Sequence, residues 1–143
     1  VGALALDANT TASQITAVGY ASLGANTTGH ANTAVGSYAL DATTTGGLNT
    51  SIGDSSLGAN TTGGSNTAVG HYTLRQNTTG TSNVGLGQSA LLNNTTANNN
   101  VSIGYNCIIG ASSLVNKDAK SNSVYYGIPA KFIRNHELGK KYL

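Results

Sequence analysis

Histidine is the side chain best suited to general acid–base chemistry near neutral pH, and this chain carries three, His30, His71 and His136. Neither His30 nor His71 has an acidic residue close by in sequence to orient its ring. A single cysteine, Cys107, excludes both an intramolecular disulfide and a cysteine-based zinc cluster, and its aliphatic neighbours suggest a small buried apolar residue. Gly85-Leu86-Gly87 lacks the third glycine, the following helix and the downstream acid of a dinucleotide site. Several Asn-Thr-Thr triplets fit the glycosylation pattern, but they arise wherever one consensus is repeated. No catalytic, cofactor-binding or metal-binding residue is assigned, and no cofactor is expected.

The elements that carry these residues are set by a repeat. An aliphatic residue followed by glycine recurs every 17 residues, at Val1-Gly2, Val18-Gly19, Val35-Gly36, Ile52-Gly53, Val69-Gly70, Leu86-Gly87 and Ile103-Gly104. Four positions after each glycine stand Leu6, Leu23, Leu40, Leu57, Leu74, Leu91 and Ile108, and Asn32, Asn49, Asn66, Asn83 and Asn100 precede the later marks. A Thr-Thr pair, usually after Asn, recurs from Thr10-Thr11 to Thr95-Thr96. His30 shares a slot with Ser13, Gly47, Gly64 and Thr81, and His71 shares one with Tyr20, Ser37, Asp54, Gln88 and Tyr105, so both read as variable surface positions.

Seventeen residues are too few for a helix pair, and Gly, Asn and Thr at this density would undermine any long helix. One coil of an all-β parallel solenoid fits: a short strand such as Thr33-Ala34-Val35, a corner at Gly36, and Leu40 turned back inside. Seven to eight coils and a C-terminal cap are expected, with a repeat core of Val18, Leu23, Val35, Leu40, Ile52, Leu57, Val69, Leu74, Leu86, Leu91, Ile103 and Ile108. Gly19, Gly36, Gly53, Gly70, Gly87 and Gly104 are the expected corners. Stacked Asn and Thr would form ladders from coil to coil, and six intervals at one strand spacing each would span roughly 29 Å.

Only 8% of residues are charged, against about 25% in ordinary globular domains, so amides and hydroxyls must supply solubility and specificity. Residues 1–104 hold a single cation, Arg75, while six of the seven basic residues follow. A body this poor in cations releases few counterions, so nucleic acid is not an expected partner. No apolar run is long enough to span a membrane, and a start at Val1 reads as a processed or excised fragment.

The segments NTAVGSYALDATTTG (32–46) and NTAVGHYTLRQNTTG (66–80) resemble repeats of bacteriophage tail-fibre proteins and are similar to head repeats of trimeric adhesins, over about residues 1–104. That resemblance implies a homotrimeric, surface-exposed fibre that forms or carries a receptor-binding element. From about 101 to 135, VSIGYNCIIGASSLVNKDAKSNSVYYGIPAKFIRN looks like the end of a hexapeptide-repeat acyltransferase, a trimeric left-handed β-helix family. Ile103-Gly104 and Ile109-Gly110 open successive hexapeptides, Val115 opens the next, and Gly127-Ile128-Pro129-Ala130-Lys131 matches that family's exit loop. The implied organisation is a 17-residue-repeat solenoid over 1–104 continued, in the same left-handed β-helix-like column, by capping coils and an exit tail over 105–143.

No histidine falls in an acyltransferase catalytic motif, and the repeat leaves no room for the loop that closes over an acyl donor, so an enzyme is not expected. The leading expectation is a non-catalytic fibre on a virion, tail or cell surface, a homotrimer meeting a receptor or a glycan, without membrane insertion. Ice binding by ladders of Thr and Asn is one alternative, and acyl transfer is the other.

Overall fold

The computed structural model describes residues 1–104, 108–109, 123–126 and 131–135 of the 143-residue chain. Six three-residue strands recur at the period of the repeat: β1 (Thr16–Val18), β2 (Thr33–Val35), β3 (Thr50–Ile52), β4 (Thr67–Val69), β5 (Val84–Leu86) and β6 (Val101–Ile103). Each pairs in parallel with the next and exactly one repeat apart is its partner residue, as in Thr33↔Thr50, Ala34↔Ser51 and Val35↔Ile52. The chain is an all-β parallel solenoid, and the described residues contain no helix.

Backbone bonding reaches well beyond the strands. Leu23 N–H donates to Ala39 C=O at 3.0 Å, Thr27 N–H to Thr44 C=O at 3.0 Å and Gly36 N–H back to Val18 C=O at 2.8 Å. The corners are left-handed: Ala21, Leu23 and Ala31 have φ near 52–54°, and the equivalent residues of later coils repeat these angles. A residue in that region costs energy unless its surroundings over-determine it, and here coils on both sides do so. Gly36 has φ 139°, and a Cβ added there would lie 2.4 Å from the Gly53 carbonyl oxygen, so close stacking of coil on coil demands glycine.

The interior is narrow. Leu23, Leu40, Leu57, Leu74 and Leu91 fill it as a continuous column, all essentially fully buried. The strands contribute only their central residue, Ala17, Ala34, Ser51, Ala68, Gly85 or Ser102, to the inside. Consequently Val18, Ile52, Leu86 and Ile103 are 44%, 41%, 39% and 53% exposed, and Val35 and Val69 are half-buried. This corrects the expectation that the residue before each corner glycine belongs to the chain's own core. Side chains alternate along a strand, so a small inward residue at the centre puts both flanking residues outside.

Packing across the interior is matched in size from coil to coil. Thr73, the bulkiest residue of its column, reaches Gly85, where an added Cβ would stand 2.6 Å from the Thr73 Cγ2 methyl. Ser51 and Ser56 stand where the preceding coil has Ala34 and Ala39, and they hydrogen bond to each other.

After β6 the pattern changes. Strands β7 (Ile108–Ile109), β8 (Ser123–Tyr126) and β9 (Lys131–Asn135) extend the same sheet. However, β7 runs antiparallel to β6 and β9 antiparallel to β8, while β7 pairs in parallel with β8 at an offset of 16 residues, as in Ile108↔Val124, so the in-register stack of 17-residue coils is described only as far as β6. Among the described residues the regular solenoid has about five turns; the expectation of seven to eight coils counted Val1-Gly2, which forms no strand, and coils beyond Ile103 that fall mostly outside the described residues. Ile108 lies in β7, but the burial of its side chain, and the exit-loop residues 127–130, lie outside the described residues.

Candidate functional site

Among the described residues, buried polar side chains outnumber buried apolar ones, so ladders must satisfy them. Asn49, Asn66, Asn83 and Asn100 each donate both backbone N–H and Nδ2 to the Oδ1 of the asparagine one coil earlier, at 2.9–3.2 Å. The second Nδ2 hydrogen of Asn49 goes to Gly63 C=O at 2.9 Å and that of Asn66 to Gly80 C=O at 2.9 Å. Every hydrogen-bonding capacity of a middle member is used. A second ladder runs through Asn94, Asn77 and Asn60, with Nδ2-to-Oδ1 distances of 2.9 Å.

The threonine pairs divide their work. The first of each pair, from Thr10 to Thr78, donates its hydroxyl to the carbonyl of its equivalent one coil on, at 2.9–3.3 Å. The second, at Thr11, Thr28, Thr45, Thr62, Thr79 and Thr96, is exposed in a single file. On the strand face, an outward threonine at Thr16, Thr33, Thr50 and Thr67 runs beside the outward aliphatic column Val18, Val35, Ile52, Val69, Leu86 and Ile103.

One corner breaks the monotony. The Tyr20 and Tyr38 rings meet edge to face at 5.3 Å, His71 stacks on Tyr72 at 3.8 Å, and the Arg75 guanidinium lies 4.9 Å from the Tyr72 ring centre. His71 Nε2 is 3.6 Å from Asp54 Oδ2, so His71 does have an acidic partner, supplied from one coil back. The Asp54 carboxylate also accepts the Ser55 hydroxyl at 3.1 Å. Both members of the His71–Asp54 pair are well exposed, where such a pair is worth about 0–1 kcal/mol.

Beside it lies an open cleft of about 440 Å³ lined by Tyr38, Asp41, Ser55, Gly58, Ala59, Arg75 and Gln76. Gly58 stands between Asp41 and Arg75 in one column, so the cleft is a notch left by a missing side chain. Partial burial pushes the Asp41 carboxyl above the usual carboxylate range. Of the variable surface slot read from the sequence, Tyr20, Asp54, His71 and Gln88 are exposed at this corner and Ser37 is half-buried. Tyr38, Asp41 and Tyr72 carry no sequence mark of their own and Arg75 stands out only as the single cation of residues 1–104, although the period alone aligns Asp41 with Arg75 and Tyr38 with Tyr72.

His30 is exposed in another column, and His136 and Cys107 lie outside the described residues. Among the described residues no group of three His, Cys, Asp or Glu is placed to hold a metal ion, and no helix is long and apolar enough to cross a membrane. The in-register coils define a β-solenoid repeat protein. No protein-family model matches the chain, and neither a curated protein nor a solved structure is detectably similar to it.

Proposed function

We propose that this chain is a non-catalytic fibre segment that assembles as a homotrimer at the surface of a virion or cell and carries a receptor-binding face. The observation that supports this most is the outward aliphatic column Val18, Val35, Ile52, Val69, Leu86 and Ile103, which runs unbroken along the solenoid. A straight apolar stripe along a rod is what a parallel neighbour of the same chain would cover, each coil meeting its counterpart at the same height. The resemblance of the 17-residue unit to trimeric fibre repeats points the same way. Chains of this kind use a rigid scaffold to present variable corner residues, and Tyr20, Asp54, His71 and Gln88 occupy that position.

Light scattering on the purified chain tests the assembly, with a native mass three times the 14.3 kDa of one chain expected. A monomer would overturn the fibre reading. Ice binding is the second reading, supported by the single file of exposed threonines from Thr11 to Thr96, one per coil. Crystals shaped by the protein during growth would favour it, and unmodified hexagonal growth would remove it.

A further inference from the structure

The cleft over Gly58 differs from the rest of the surface in chemistry as well as in shape. Its two ends carry opposite charges, Asp41 and Arg75, in the same column and two coils apart, which at one strand spacing per coil is roughly 10 Å. Neither group is neutralised: among the described residues, the Arg75 guanidinium has no carboxylate within ion-pair distance and the Asp41 carboxylate accepts no hydrogen bond. The Arg75 guanidinium lies over the Tyr72 ring, 4.9 Å from its centre, and among the described residues its N–H donors make no hydrogen bond. Tyr38, supported edge-on by Tyr20, offers a half-exposed aromatic wall, and Gln76 adds an amide beside Arg75.

We infer that this cleft binds one acidic sugar residue, a hexose ring bearing a carboxylate or sulfate, with the anion on Arg75, ring hydroxyls donated to Asp41, and the apolar C–H face of the ring against Tyr38. Each feature of such a ligand has one partner here. A planar anion matches the bidentate fork of a guanidinium. Vicinal hydroxyls match a carboxylate with free lone pairs. A shallow mixed cavity of this volume, apolar on one wall and polar at its ends, suits a single ring better than an extended polymer contact. The inference deepens the receptor-binding reading by naming a ligand class.

The test is calorimetric titration of the intact chain with methyl glucuronide, with neutral methyl glucoside and acetate as comparisons. Methyl glucuronide is expected to bind, with the glucoside and acetate each at least tenfold weaker. Arg75→Gln is expected to weaken glucuronide binding by a factor of ten or more, and Gly58→Leu to abolish it by filling the notch. Leucine is admissible at that position because Leu92 already occupies the same column, and an unchanged circular dichroism spectrum and melting temperature confirm the fold. Equal binding of glucuronide and glucoside, acetate as tight as glucuronide, or undiminished binding by Arg75→Gln would overturn the inference. Native mass separates the two readings: a trimer without saccharide binding removes only the cleft's ligand, whereas saccharide binding by a monomer removes only the fibre.

Discussion

Thr43 interrupts the second asparagine ladder, and replacing it with asparagine should stabilise the protein. Asn26 Oδ1 is buried with no hydrogen-bond partner, because the residue one coil on is Thr43, whose hydroxyl instead donates to Asn60 C=O at 3.1 Å. In the intact part of the ladder, the corresponding Nδ2 of Asn77 reaches Asn60 Oδ1 at 2.9 Å. Gly46 C=O accepts one side-chain amide, from Asn32, whereas Gly63 and Gly80 each accept two. Thr43→Asn therefore supplies a donor to Asn26 Oδ1 and a second donor to Gly46 C=O, and gives Asn60 Nδ2 an amide oxygen in place of a hydroxyl at 3.3 Å. Satisfying a buried acceptor is worth about 1–3 kcal/mol, and the new bond to Gly46 C=O roughly offsets the lost hydroxyl bond at about 1 kcal/mol each, for a net gain of about 1–3 kcal/mol. At this chain length the melting temperature should rise by about 3–9 °C in a calorimetric scan. The reciprocal change, Asn60→Thr, should lower it. A Thr43→Asn variant that melts at or below the parent temperature would refute the ladder reasoning.

Packing, stacking and charge give three more tests. Gly85→Ala should destabilise through its clash with Thr73 Cγ2, and Thr73→Ser should recover much of the loss, with a coupling of about 1–2 kcal/mol in a double-mutant cycle followed by denaturant unfolding. Gly53→Ala should cost roughly 3 kcal/mol or more, since it combines φ 133° with a Cβ 2.5 Å from Gly70 C=O, and thermal melting would show it. Asp41 has its carboxyl raised by burial, so the folded chain holds that proton more tightly than the unfolded one; the resulting stability is present at acid pH and lost as pH rises through the folded value. Asp41→Asn should flatten that dependence in pH-resolved unfolding and leave the variant at least as stable at pH 7.

Much of the architecture is legible in the period alone. Seventeen-residue spacing places Thr33 beside Thr50 and stacks Leu40 on Leu57, and the strand register follows it without a slip. What the aliphatic-glycine mark conceals is which way the aliphatic points. The better indicator was its neighbour: Ala17, Ala34, Ser51, Ala68, Gly85 and Ser102 are all small, as a narrow interior opposite a leucine requires. A Val at that inward position would overfill the space that Thr73 and Gly85 share. The corner cleft was hidden for a different reason. Asp41 and Arg75 are 34 residues apart and only become neighbours of one notch when the coils are stacked around Gly58. The His71–Asp54 contact was hidden in the same way, one period apart in a single variable slot.

The central claim is that the aliphatic column faces outward and joins chains rather than filling one. Native mass and circular dichroism of Ile52→Lys beside the parent chain test it most directly. The account predicts a trimeric parent and a variant that keeps the β-sheet spectrum while its mass falls to that of one chain. A variant that unfolds outright, or one that retains the parent's mass, would contradict it.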